Sequence, residues 1–264
     1  MATIKKVKVQ YCGEDYELYA MSNDDRTNVI AGRKGTQEGK VCTWKDIVTK
    51  LKAQRVFDIG CNYGEFLIPI SNINRHIYAF EPINDVYKSL VKSINELSYE
   101  TEHISLINAA IGDTTRESIL NIPASSGNAS LDINCVKYKD TVKPQLVEEH
   151  DILYYIEDCN NFIMKLDIEG TEHKVLSRIK QNDNFDWYCI MFEFTIIDIY
   201  NRFNASNVEA LEEFMDGKKV MGISNDKLKL SNDNFFLYEK GKSFHKLKNA
   251  HDVIVCKNVD WDKV

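Results

Sequence analysis

The sequence lacks paired cysteines. Its seven cysteines, Cys12, Cys42, Cys61, Cys135, Cys159, Cys189 and Cys256, are scattered, odd in number and without a Cys-x-x-Cys pair. Neither a disulfide framework nor a zinc site is indicated, and a reducing cytoplasm fits best. Long apolar runs are also missing: nothing approaches the roughly 18 residues of a membrane span. Polar sequence follows Met1 where an export leader would be apolar, so the chain is expected to be soluble and unexported. Positive charge is not in excess either. With a formal net charge of −7 and Lys5-Lys6-Val7-Lys8 as the longest basic cluster, a surface that grips nucleic acid by its phosphates is not expected. There is no internal repeat and no low-complexity tract.

What is present suits one large α/β domain: 264 residues, 44% apolar and 28% charged. Seven short β-rich runs alternate with longer amphipathic segments, the pattern of strands joined by crossover helices in a mostly parallel sheet. They are Val56 to Cys61, His76 to Phe80, Ile104 to Ala109, Phe162 to Asp167, Trp187 to Phe194, Lys219 to Ile223 and Asp252 to Cys256. Val86, Leu90, Ile94 and Leu97 recur at helical spacing, as do Val175, Leu176 and Ile179. The first 50 residues differ: a hairpin is expected over Lys6 to Ala20, a polar loop acting as a lid over Met21 to Val41, and a helix over Thr43 to Ala53. Residues 1–50 are thus an N-terminal, substrate-side segment on a domain of residues 51–264. Between Thr114 and Val142, alternation in Ser118 to Pro123 and in Ser130 to Val136 predicts an inserted hairpin.

Asp58-x-Gly60-x-Asn62-x-Gly64 ends the first strand and predicts a helix start at Glu65, whose free amides could hold a carboxylate or another anion. The dinucleotide spacing Gly-x-Gly-x-x-Gly is absent, which disfavours a nicotinamide or flavin enzyme and leaves the methionine carboxylate of a methyl donor. Glu81, about 20 residues beyond the loop, stands where a ribose diol would lie, or is a solvated strand-end acid. Asn108 to Asp113 offers the small residues Ala109 and Ala110 to a flat ring, or is an ordinary turn. Strand alternation turns Lys165, Asp167 and Glu169 to one side, for catalysis, for a metal, or as a salt-bridge network. His173 follows within the first helical turn, as a base near neutral pH or a surface histidine. Glu193 ends the next strand inside an apolar run and needs a partner. With Asp167 it could ligate Mg²⁺; otherwise it bonds Lys165 or a substrate hydroxyl.

In these motifs the chain resembles the FkbM family of methyltransferases. Asp58-Ile59-Gly60-Cys61-Asn62-Tyr63-Gly64 is similar to its D-x-G-A-N-x-G loop, Ala79-Phe80-Glu81-Pro82 to its A-F-E-P strand end, and Lys165 to Gly170 with Glu172 to its K-x-D-x-E-G-x-E signature, over about residues 50 to 195. Cys61 replaces the usual Ala, and the resemblance does not extend to residues 1–50 and 195–264. The resemblance implies a class I methyltransferase fold, a Rossmann-like seven-stranded sheet with an antiparallel last strand and helices on both faces. It implies S-adenosylmethionine bound by Asp58, Gly60, Asn62, Gly64 and Glu81, to which the residues themselves add Cys61, Pro82, Ala109 and Ala110 as candidates. Asp167, Glu169 and Glu193 would line the acceptor side, where related O-methyltransferases sometimes hold a divalent ion; the residues themselves add Lys165 and His173 as catalytic candidates and offer Asp167 and Glu193 to the ion.

The implied activity is O-methylation of a sugar, nucleotide-sugar or glycan, the acceptor being the expected partner. A non-catalytic S-adenosylmethionine-binding subunit is one alternative. Another is a methyltransferase for protein, RNA or polyketide; no Asn-Pro-Pro-Tyr-like tetrapeptide follows the fourth strand, where Leu166 to Glu169 stands instead.

Overall fold

The computed structural model describes residues 3–136, 141–194, 205–224 and 228–264. In spatial order the central sheet runs Phe236–Leu237 (β12), Lys219–Ile223 (β11), Asp252–Lys257 (β13), Trp187–Glu193 (β10), Asn161–Leu166 (β9), Arg55–Ile59 (β3), His76–Phe80 (β4) and Ile104–Ile107 (β5). Neighbours from β10 to β5 pair in parallel. β13 runs antiparallel to both β10 and β11. With β12 set aside, this order and its single reversed strand are those of a class I methyltransferase sheet. The two-residue β12 makes eight strands where seven were expected.

Strands buried on both faces read as continuous apolar runs, and the alternation sorts their side chains into two cores. Val56, Ile77, Ile163, Cys189, Met191 and Ile254 face Trp44, Ile47 and Val48 of α2 (Glu38–Lys50) and Val86, Leu90 and Ile94 of α3 (Asn84–Asn95). Phe57, Ile59, Phe162, Met164, Leu166 and Ile190 face Val175, Leu176 and Ile179 of α5 (Glu172–Gln181) and Leu211 and Phe214 of α6 (Ala205–Met215). A short α4 (Leu153–Ile156) adds Ile156 to the second core.

The expected N-terminal hairpin is present as β1 (Ile4–Tyr11) and β2 (Glu14–Met21), paired antiparallel along their length. It packs on α3, where the Tyr19 amide donates to Ser93 Oγ at 2.8 Å and Lys92 Nζ lies 4.3 Å from the Tyr19 ring centroid.

Four expectations are corrected. The stretch Met21 to Val41 is not a plain loop. It holds α1 (Asp25–Arg33), whose start is capped by Asp24 Oδ1 accepting the Arg26 amide at 2.9 Å, and the first turn of α2. Only Thr27 and Ile30 of α1 are buried, too thin a stripe to read as helical periodicity. No α-helix begins at Glu65; a single 3-10 turn, Ile68–Ile70, stands there with Pro69 inside it, and proline has no amide to extend a helix.

The inserted strand β7 (Arg116–Ile122) pairs with β8 (Lys143–Asp151) rather than with Ser130 to Val136, which contributes only the bridge Asn121 to Ser130. β8 also pairs in parallel with β6 (Ala110–Gly112), so a second, three-stranded sheet forms and β5 stops at Ile107. Positions 137–140 of the expected hairpin lie outside the described residues. Finally, Cys12 and Cys42 form a disulfide with Cα atoms 5.4 Å apart. Their separation of 30 residues closes only because the β1–β2 turn meets α2.

Among the described residues, no helix is long and apolar enough to cross a membrane.

Candidate active site

The loop after β3 is shaped by its contact with the end of β9. Gly60 has φ +75°, and a Cβ there would lie 1.9 Å from the Asp167 carbonyl oxygen, so only glycine fits. The backbone amides from Gly60 to Gly64 are all taken by protein acceptors. The Gly60 and Cys61 amides both donate to Phe80 O at 3.0 Å, and the Gly64 amide to Cys61 O at 2.8 Å. The Asn62 amide donates to Glu81 Oε2 at 2.9 Å, and the Tyr63 amide to Asn62 Oδ1 at 3.0 Å.

Of the loop residues, Gly60 and Asn62 line a cleft of about 880 Å³, counted with the solvent at its mouth. Asp58, Cys61 and Gly64 lie beneath it: Asp58 is fully buried, Cys61 Sγ donates to Phe80 O, and a Cβ on Gly64 would meet Leu90 at 2.8 Å. Burial pushes the Cys61 thiol well up, out of reach of ordinary thiolate chemistry.

Glu81 closes β4 with a buried carboxylate in the cleft wall. Its Oε1 accepts the Ile83 amide at 2.8 Å and its Oε2 the Asn62 amide at 2.9 Å, leaving further lone pairs for a ligand hydroxyl. Burial pushes its pKa up to about 7 against the two amides that favour the anion. Pro82, Ile83, Ala109, Ala110 and Ile111 continue this wall as a small, mostly apolar surface.

The opposite wall is ionic. On one face of the sheet Asp58 neighbours Lys165, and Glu193 lies opposite Asp252. Lys165 Nζ stands 3.5 Å from Asp58, 3.4 Å from Asp167 and 3.4 Å from Gly60 O, so Asp58 and Asp167 share it and Glu193 does not. Burial disfavours the Lys165 ammonium, but the two carboxylates outweigh it and raise its pKa. Burial also raises the pKa of Asp58, with Lys165 opposing.

β9 ends at Leu166 and Glu169 has φ +57°, so strand alternation does not carry Lys165, Asp167 and Glu169 together. The turn does bring Asp167 and Glu169 to Glu193: one carboxylate oxygen from each lies within 4.8 Å of the others. Burial, and then the charges of Glu169 and Asp167, push Glu193 well above the usual carboxylate range. Glu172 holds the turn, accepting the Ile168 amide at 3.0 Å and the Gly170 amide at 2.9 Å, and burial pushes it up to about 7. His173 is not in the cleft wall; it is half-buried near the start of α5, where burial lowers its pKa.

Several wall residues escaped the sequence reading. Arg26, Gln37 and Lys40 come from the N-terminal segment, and Leu120, Ser126 and Gly127 from the insertion. Asp252 also lines the wall, with its carboxylate 2.8 Å from Lys40 Nζ. Asp252 left a signal, a charge opening an otherwise apolar strand; Arg26 left none, because α1 has almost no apolar stripe.

No protein-family model matches the sequence, and no curated protein matches it. Among solved structures, the chain is similar to the methyltransferase FkbM from Methylobacillus flagellatus KT, at 12% identity and TM-score 0.45, over 80% of this chain and 47% of that one. The chain thus spans about half the length of that protein. It is also similar to M. jannaschii TYW2 in complex with AdoMet, at 13% identity and TM-score 0.45, over 96% and 86% of the two chains. A third is the precorrin-6y C5,15-methyltransferase from Geobacter metallireducens GS-15, at 11% identity and TM-score 0.43, over 83% and 86%.

Proposed function

We propose that the chain is an S-adenosylmethionine-dependent O-methyltransferase of the FkbM kind, acting on a hydroxyl of a sugar, nucleotide-sugar or glycan. The observation that carries the reading is Glu81: a buried carboxylate with lone pairs to spare, at the end of the strand beside the glycine loop, in one wall with Ala109 and Ala110. In a class I sheet such a residue accepts the ribose hydroxyls while the small residues flank the adenine. Gly60 fits the same ligand, since its missing side chain lets the loop and Asp167 close together at the strand ends.

Bound there, S-adenosylmethionine supplies a methyl group on a positively charged sulfur. Asp167, a half-buried carboxylate facing the cleft, takes the proton of the acceptor hydroxyl as its oxygen gains the methyl group. Lys165 Nζ lies 3.4 Å from Asp167, and the Glu172 bonds to the turn amides fix its approach. His173, outside the wall, is not assigned the proton.

The test is calorimetric titration with S-adenosylhomocysteine, followed by transfer of labelled methyl groups to a panel of sugars, nucleotide sugars and glycans. Binding with transfer only to proteins, RNA or polyketides would replace the acceptor class. Binding without any transfer favours a non-catalytic subunit, and no binding removes the methyltransferase reading.

Asp167, Glu169 and Glu193 also form a hard-oxygen set of the kind Mg²⁺ takes. If the ion belongs to the site, chelation with EDTA abolishes transfer and Mg²⁺ restores it; transfer indifferent to EDTA excludes it.

A further inference from the structure

The five amides from Gly60 to Gly64 all donate to protein acceptors. None of these five backbone amides is therefore free for the carboxylate of a methionine moiety. A carboxylate drawn out of water needs a cation or several N–H groups. Among the described residues, the cleft wall carries two cationic side chains, Arg26 and Lys40. Lys40 is committed to Asp252, at 2.8 Å with both side chains 8% exposed. Arg26 is only half committed. Its Nη2 bonds Glu65 and Thr36 Oγ1, while Nε, shut from solvent, and Nη1 make no hydrogen bond to the described residues.

The guanidinium is held from behind. Glu65 is itself fixed by the Tyr11 hydroxyl and by the amide and hydroxyl of Thr36. The helix carrying Arg26 is fastened to the cleft by Asp24, whose carboxylate accepts the Arg26 amide, the Ser126 amide at 3.1 Å and the Tyr63 hydroxyl at 2.6 Å. The Arg26 stem lies against Gly127, where a Cβ would come within 3.3 Å of Cδ. Ser126 in turn bonds Asn62 Nδ2 at 3.1 Å, so Arg26 stands over the loop end of the cleft and not its adenine end.

We propose that Arg26 holds the carboxylate of the methyl donor, so that the N-terminal segment supplies the anion recognition that the glycine loop does not. This rests on the S-adenosylmethionine site proposed above. The guanidinium, preoriented by Glu65 and Thr36, offers its remaining N–H groups to the carboxylate at little entropic cost.

The experiment compares, by calorimetry, S-adenosylhomocysteine with 5′-deoxy-5′-methylthioadenosine, which keeps the nucleoside and lacks the amino-acid part. Arg26→Gln should weaken S-adenosylhomocysteine about 10- to 100-fold and leave methylthioadenosine within about twofold, with Arg26→Lys recovering part of the loss. A ligand-side arm needs no variant: decarboxylated S-adenosylhomocysteine should bind the wild type as weakly as the carboxylate ligand binds Arg26→Gln. Unchanged S-adenosylhomocysteine affinity in Arg26→Gln overturns the proposal. Equal weakening of both ligands also overturns it, since that is the mark of a merely structural network. Failure of the wild type to bind either ligand removes the donor site itself.

Discussion

Asp58 on β3 and Lys165 on β9 stand in register on adjacent strands, with Lys165 Nζ 3.5 Å from Asp58 Oδ1 and neither side chain more than 5% exposed. A single ammonium thus serves the fully buried Asp58 below the loop and the half-exposed Asp167 at its edge. Lys165→Met would leave Asp58 without its countercharge and should cost about 3–5 kcal/mol in urea unfolding. Adding Asp58→Asn should recover part of that loss. Strictly additive losses in the double variant would refute the coupling.

Gly60→Ala meets two obstacles, a backbone φ of +75° and a carbonyl oxygen 1.9 Å from the new Cβ. The β3 and β9 strand ends must separate, so more than about 2 kcal/mol of stability should be lost, with donor binding falling alongside. Thermal unfolding of the variant within a degree of the wild type would contradict this close approach.

Glu81 titrates at about 7 instead of its ordinary 4.5, because burial penalises its anion. A folded acid with a raised pKa binds more protons than the unfolded chain, so the free protein should lose stability as pH rises between about 4.5 and 7. Ribose hydroxyls favour the anion by hydrogen bonding, so nucleoside binding should release a proton and strengthen as pH rises through 7. Glu81→Gln should flatten the binding profile and reduce the slope of the stability profile, to which Glu172, also pushed up to about 7, still contributes. Proton release measured in buffers of different ionisation enthalpy checks it, and a profile unchanged in Glu81→Gln would assign the titration elsewhere.

Asp167→Asn should keep S-adenosylhomocysteine affinity and lower turnover by about 10²- to 10⁴-fold, the usual worth of a positioned base. His173→Ala, outside the wall, should leave turnover within about threefold. The opposite ranking would return the proton to His173.

Much of the central sheet was legible because its strands are apolar runs in a fixed alternation, and period 2 is local. Val56 and Phe57 already belonged to opposite faces before any tertiary contact was known. Asp58, Gly60, Glu81 and Asp167 were legible as strand-end residues for the same reason. The insertion was misread because β8, with Glu148, Glu149 and His150 among its residues, lacks the apolar alternation of a core strand. α1 was missed because a helix burying only Thr27 and Ile30 leaves no periodic trace.

The sequence by itself determined the class of fold and, to within about two residues, where its core strands end, since both follow from local patterns of polarity. Tertiary structure decided what the strand-end residues do to one another. It satisfied the glycine-loop amides from within, turned Glu169 back toward Glu193, joined Cys12 to Cys42, and brought Arg26 and Lys40 to the wall of the cleft. Each of these depends on contacts between segments distant in the chain, and no local pattern of residues encodes which distant group will be the partner.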